Sequence, residues 1–254
     1  MERTFVTIGL IGYGRFGKLT AKLLARRARV YVYDTRRIRG KLPSRNIKVK
    51  PLTIVASQGL VVLAVPISAL ESTLREIRPF VNPGALVLDL CSVKARPVRW
   101  MRNILPHSTN ILGTHPLFGP DSVSRSLIGR KIVLCPVRIP EPLLRKVSKV
   151  LGKEGLDVSI MSPSEHDRMV AETLLLTQYV GRLVHWTGVQ KWRRSTLHFE
   201  KLLDLVQVAE QDSVELFRDM WNYNPHAVRM GRKLDLARKR LQRELALTAV
   251  TRKA

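Results

Sequence analysis

From about residue 4 to residue 160 the chain alternates short apolar runs with amphipathic stretches. The runs 5–11, 30–33, 60–65, 85–90, 110–112, 131–134 and 156–160 have strand length, while 18–27, 68–77, 97–104 and 142–151 carry their apolar residues on one helical face. Such alternation predicts an α/β fold: a doubly wound, mostly parallel sheet covered by helices. After Met161 the character changes. Ser162-Pro163-Ser164-Glu165 has the form of a helix start, with Ser162 as N-cap, proline at the first helical position and Glu165 placed to complete a capping box. No strand pattern follows. Leu174, Val180, Leu183 and Val184, then Leu202, Leu205, Val208, Leu216 and Phe217, then Leu234, Ala237, Leu241 and Leu245 recur at helical spacing. Two domains are therefore expected, 1–161 and an all-helical 162–254. A helical piece of that size could hardly bury its apolar faces alone, and packing on a second copy of the chain would cover them.

The first helix is preceded by Gly12-Tyr13-Gly14-Arg15-Phe16-Gly17, and the second apolar run ends on Asp34. Strand, glycine turn, helix, strand and acid in this order form the fingerprint of a βαβ dinucleotide site. Gly12 permits the tight turn, Gly14 lets the backbone approach a pyrophosphate, and Gly17 lets the helix lie close. Arg15 and Phe16 open the helix whose N-terminus would receive the phosphates. Asp34 can accept both ribose hydroxyls and repels a 2′-phosphate, which favours NAD over NADP. Arg36 and Arg37 follow at once and could clamp that phosphate if Asp34 turned away.

Composition narrows the class. With 45% hydrophobic residues the chain is not a disordered one, and no apolar run has the length of a membrane span. Its start shows no basic segment with a cleavage site and leaves no room for a targeting peptide, so a cytoplasmic protein is expected. Cys91 and Cys135 lack metal-ligand spacing and read as buried thiols in a reducing compartment. The net charge of +24 is anomalous and predicts non-specific attraction to polyanions. The basic residues are densest at 26–45, 191–194 and 229–243, yet they carry no nucleic-acid-binding motif, so they read as a solvated surface.

Two further stretches fall at strand ends, where open α/β sheets bind ligands: Asp89-Leu90-Cys91-Ser92-Val93-Lys94, and Gly113-Thr114-His115-Pro116-Leu117-Phe118-Gly119-Pro120-Asp121. His115 is the best general acid or base in the chain, because an imidazole titrates near neutral pH. His166 with Asp167 invites a metal reading, but no second ligand cluster accompanies it. The acid's interaction with the helix dipole is the preferred role.

These motifs together with Ala64-Val65-Pro66, His115-Pro116-Leu117-Phe118-Gly119-Pro120 and Glu165-His166-Asp167 resemble the prephenate and arogenate dehydrogenases of tyrosine biosynthesis. Leu202-Leu203-Asp204-Leu205, Asp212-Ser213-Val214-Glu215-Leu216-Phe217 and Tyr223-Asn224 are most similar to the plant-type arogenate branch. The resemblance implies an NAD(P)-dependent oxidative decarboxylation of a cyclohexadienol, in which hydride and carbon dioxide leave and the ring becomes aromatic. It gives His115 the hydroxyl proton, Ser92 the orientation of that hydroxyl or of the imidazole, and Val65 and Pro66 the nicotinamide side of the cleft. Thr114 belongs to the substrate loop, and Lys94 holds the anionic substrate or the loop itself. Gln178 stands where many relatives carry histidine, an amide contact at best.

The resemblance also implies a helical dimer domain. Prephenate-using relatives place an arginine in a stretch that corresponds to 202–217, and none occurs there. Asp121 could instead pair with the ammonium of arogenate and Arg182 with a carboxylate, which favours arogenate as substrate. Two readings compete: another two-domain dehydrogenase, such as a β-hydroxyacid or imine reductase, and a catalytically idle dinucleotide- or polyanion-binding protein.

Overall fold

A computed structural model of the chain describes residues 6–123 and 126–251. Its contacts divide the chain into two units, Met1–His166 and Asp167–Ala254.

The first unit is built on strands β1 (Thr7–Ile11), β2 (Arg29–Tyr33), β3 (Ile47–Val49), β4 (Leu60–Leu63), β5 (Leu86–Asp89), β6 (Asn110–Pro116), β7 (Lys131–Arg138) and β8 (Asp157–Ile160). They form one eight-stranded sheet in the order β3-β2-β1-β4-β5-β6-β7-β8. Every neighbouring pair is parallel except β6 with β7. Helices α1 (Arg15–Leu24), α2 (Leu52–Ala56), α3 (Ile67–Ile77), α4 (Ala95–Ile104) and α5 (Glu141–Lys153) supply the crossovers and cover the sheet. Val30, Val32, Val61, Leu63 and Val87 have no exposed surface, as expected of parallel strands buried on both faces. The first six strands have the doubly wound order whose direction reverses between β1 and β4, the crevice where such sheets take ligands.

The mostly parallel sheet and the helical region after it are those the periodicity predicts. Two short elements, β3 and α2, were not, because three and five residues are too few to display a period. The larger correction concerns β6. The run 110–112 predicts a strand that stops before the His115 loop, whereas β6 continues to Pro116 and carries Gly113, Thr114 and His115 within it. Those residues lack apolar alternation. Antiparallel pairing of Gly113 with Cys135, Thr114 with Leu134 and His115 with Val133 supplies the backbone hydrogen bonds instead.

At the end of the sheet, Ser162 and Glu165 form the expected capping box. The Glu165 carboxylate accepts from the Ser162 N–H at 2.9 Å and the Ser162 hydroxyl at 2.7 Å, and the Glu165 N–H donates back to Ser162 Oγ at 3.2 Å. This starts α6 (Pro163–Val170), within which the division between the units falls. A wider turn of helix over Ala171–Leu175 leads into α7 (Leu176–Trp186), followed by α8 (Leu197–Gln211), α9 (Val214–Tyr223) and α10 (Ala227–Thr251). Thr196 caps α8 and Ser213 caps α9, each hydroxyl accepting an N–H three residues on. Leu175, Ala209, Met220 and Ala227 are wholly buried in this unit, while Trp186 stays 77% exposed and Leu236 67%. Among the described residues no helix is long and apolar enough to cross a membrane.

Candidate active site

The turn after β1 is shaped by what its glycines exclude. Gly12 has φ +96°, and a Cβ there would lie 2.4 Å from the Ala64 carbonyl oxygen at the end of β4. A Cβ on Gly17 would lie 2.2 Å from the Gly12 carbonyl oxygen, so α1 rests directly on the turn. At Gly14 the space is open, with only the Arg36 guanidinium at 3.9 Å. An open cradle ahead of a helix N-terminus is suited to phosphate oxygens.

Asp34 follows β2 and turns its carboxylate back toward this turn. Oδ2 accepts the Tyr13 N–H at 2.7 Å and Oδ1 the Arg36 N–H at 2.8 Å, with the Arg36 Nε at 3.4 Å. Burial pushes its pKa up, but the N–H donors of Tyr13 and Arg36 and the Arg36 charge outweigh it, leaving the group below the ordinary carboxylate range. Asp34 is therefore an anion at neutral pH. Phe16, half-buried, has its ring 6.1 Å from that of Phe118, and Arg15 forms an ion pair with Asp121. Val65 is half-buried and Pro66 exposed, just past β4 at the entry to α3. The turn, the open cradle and the acid fit a dinucleotide.

Beside the nucleotide turn, β5 and β6 end in a buried polar cluster. Asp89, the last residue of β5, is ion-paired with Lys94 at the start of α4, and both side chains are fully buried. The second Lys94 bond runs to the Thr114 carbonyl at 2.7 Å, the Thr114 hydroxyl donates to the Asp89 carbonyl at 2.5 Å, and the Cys91 N–H donates to Asp89 Oδ2 at 3.0 Å. These bonds tie the loop carrying Ser92 to the strand carrying His115. Two charges without water are tolerable only because each is met by its opposite and by further hydrogen bonds.

His115, next along β6, is buried, and its Nδ1 lies 2.8 Å from His166 Nε2. The rings meet edge to face with centroids 5.0 Å apart. Burial, then His166, then the Lys94 charge hold the His115 pKa well below the usual imidazole value. At neutral pH the ring is uncharged and can act as a base.

Comparison with known proteins agrees with this geometry. The family model described as prephenate dehydrogenase, nucleotide-binding domain, matches residues 22–160, and one described as TYRAAT1-like, C-terminal domain, matches 184–253. Arogenate dehydrogenase 2, chloroplastic, of Arabidopsis thaliana is 31% identical over 249 residues, covering 94% of this chain and 69% of the relative. The chain belongs to the prephenate dehydrogenase family.

Arogenate dehydrogenase 1, chloroplastic, of the same plant is 29% identical over 94% of this chain and 39% of its own length. The prephenate dehydrogenase of A. aeolicus, solved with hydroxyphenyl propionate and NAD+, shares the fold with a TM-score of 0.75 at 22% identity, over 98% of this chain and 93% of that one. Membership in this family sets aside the other two-domain dehydrogenases. The family match starts at residue 22, so the glycine turn rests on its own geometry.

Several site residues have partners that sequence reasoning did not foresee. Lys94, offered as a holder of substrate or loop, is wholly buried and holds the loop. Asp121, expected to meet an ammonium, has its carboxylate against Arg15, a cofactor-side residue. In the second unit Arg182 donates to the Ala209 and Asp212 carbonyls at 2.9 and 2.7 Å and lies over the Phe217 ring, so it caps the end of α8. Gln178 is wholly buried with its NH2 donated to Asp212 at 2.7 Å. Its carbonyl oxygen has no hydrogen-bond partner among the described residues.

Sequence reasoning singles out His166 in the Glu165-His166-Asp167 motif but gives it no role beside His115, the ring it meets in the fold. Glu165 takes the helix start, while Asp167 is buried and its carbonyl accepts from Asn224 at 2.8 Å.

Proposed function

We propose that this chain catalyses the NAD-dependent oxidative decarboxylation of arogenate to tyrosine, with His115 as the general base. The observation that carries the reading is a buried imidazole near the end of β6, at the same C-terminal end of the parallel strands as the glycine turn, where burial holds its pKa low. Gly12, Gly14, Gly17, Arg15, Phe16, Asp34 and Arg36 would hold the dinucleotide, with Val65 and Pro66 beside its nicotinamide. Bound NAD supplies the hydride acceptor. His115 takes the proton of the ring hydroxyl, Ser92 orients that hydroxyl or the imidazole, and Thr114 and Lys94 hold the two loops together. Asp34, an anion held by two backbone N–H groups, suits ribose hydroxyls and opposes a 2′-phosphate.

Arogenate is preferred to prephenate because 202–217 holds no arginine for a carboxylate and because the plant relatives bear that name. Gln178 adds to this. A carboxylate only accepts, so the amide must turn its NH2 to Asp212 and offer Oε1, an acceptor suited to an ammonium. Asp121 and Arg182 can serve the substrate only by leaving their present partners.

Purified protein given arogenate or prephenate with NAD or NADP, followed by absorbance at 340 nm, decides substrate and cofactor. We expect kcat/KM highest for arogenate with NAD. A higher value with prephenate, or a tenfold preference for NADP, overturns the respective choice. The helical unit is proposed as a dimerisation surface on its exposed apolar residues, and Cys91 and Cys135 suit a reducing compartment such as the cytoplasm. Both plant relatives are named chloroplastic, so fractionation of the source cells is the test of compartment.

A further inference from the structure

The His115–His166 contact asks more of His166 than packing. His115 Nδ1 faces His166 Nε2 at 2.8 Å, which leaves Nε2 of His115 for the reacting hydroxyl. Both rings are buried, so water cannot substitute for either partner.

Two neutral imidazoles can share that contact in two ways. If His115 Nδ1–H donates, its Nε2 carries a lone pair and can take a proton. If His166 Nε2–H donates, His115 Nε2 carries the hydrogen and cannot act as a base. The hydrogen bond made by one ring nitrogen thus decides the chemistry of the other.

We propose that His166 is a positioning residue that accepts the His115 Nδ1–H, fixing the ring and keeping His115 Nε2 as the basic atom. This rests on the reading of His115 as the base. His166 itself is placed by local structure: it lies in the first turn of α6, its N–H bonded to the Ser162 carbonyl at 3.0 Å, beside the Ser162–Glu165 capping box. When His115 takes the substrate proton it becomes an imidazolium in a buried site, with the Lys94 charge also acting on it. A neutral His166 ring can accept the Nδ1–H of that cation with its lone pair, whereas a charge on His166 would oppose the imidazolium, the direction in which His166 acts on the His115 pKa. Lys94 is offset by Asp89, so the lone pair of His166 is the neutral acceptor that meets the new charge directly.

The first measurement needs no variant. In ¹⁵N-histidine protein at neutral pH, two-bond ¹⁵N–¹H correlations should show His115 with its hydrogen on Nδ1 and His166 with a bare Nε2. A hydrogen on His115 Nε2 overturns the proposal whatever the activity. The second compares His166→Leu, which cannot accept, with His166→Gln, whose amide oxygen can. We expect His166→Leu to lower kcat by about 10- to 100-fold, the usual size for an outer partner of a functional imidazole. The KM of the ring substrate and the Kd of NAD should stay within about twofold, and the Gln variant should recover most of the rate. Full kcat in folded, NAD-binding His166→Leu refutes positioning while leaving His115 as base. An active His115→Asn enzyme would instead refute the base assignment itself.

Discussion

At the scale of single residues, the site depends on which polar groups are buried and with whom. His115→Asn should lower kcat by roughly 10²- to 10⁴-fold, the size of a lost general base, with NAD affinity nearly unchanged. Titration calorimetry with NAD and steady-state assays separate the two effects, and an active variant with an unaltered pH profile places the base elsewhere. Because the folded His115 is held well below the usual value, kcat/KM should stay level as pH falls to about 6.5 and drop only under it. The same shift links to stability. A histidine depressed on folding contributes its full stabilisation above its unfolded pKa of about 6.5, and loses it as pH falls toward the folded value, because the unfolded chain then binds the proton more readily. Thermal unfolding between pH 8 and 5 should show that loss in the wild type and a smaller one in His115→Asn. Lys94→Met tests the neighbouring pair: it strands the Asp89 carboxylate without its cation and should cost about 3 to 5 kcal/mol, read by urea unfolding. A cost under about 1 kcal/mol would mean that the Lys94–Asp89 pair does not hold this part of the fold. The residue types of this site were legible in the sequence, but their pairing was not. Asp89 and Thr114, or His115 and His166, are far apart along the chain, and no local rule specifies such contacts.

At the scale of elements, helix starts are legible in the sequence and strand ends less so. A cap is a local bargain between residues three apart, so Ser162 and Glu165 announce α6 before any tertiary contact exists. Ser162→Ala should destabilise the protein by about 1 kcal/mol, seen as a lower urea midpoint with unchanged slope. No loss would mean that packing alone holds α6. Strand β6 is the counterexample. Its last residues, Gly113 to Pro116, have no strand pattern of their own and are extended because β7 pairs with them from the far side of an intervening loop. That pairing, rather than a loop, fixes the direction of His115.

At the scale of the whole molecule, the surface is unusually basic and the helical unit leaves apolar groups uncovered. Leu183, Trp186, Leu236, Leu241 and Leu245 are exposed, though most of them lie at helical spacings that predicted a buried face. We expect a dimer through the second unit, stable at micromolar concentration in analytical ultracentrifugation; a monomer under those conditions removes the argument. The +24 charge should give binding to heparin that disappears in salt, since screening and counterion competition weaken contacts made by charge alone. Binding that survives half-molar salt would reveal a dedicated polyanion site.

The sequence by itself determined the alternation that makes a doubly wound sheet, the glycine turn with its following acid, the capped entry to the helical region, and the family. Each is set by spacing along the chain: a two- or 3.6-residue period, a three-residue cap, a turn that only glycine accepts. Tertiary structure alone decided that Lys94 would be buried against Asp89, that Asp121 would meet Arg15 and Arg182 the end of α8, and that His166 would stand behind His115. A charge or ring takes its partner from whatever the fold brings within about 3 Å, and that neighbour is fixed by how the strands and helices pack, not by its distance in sequence.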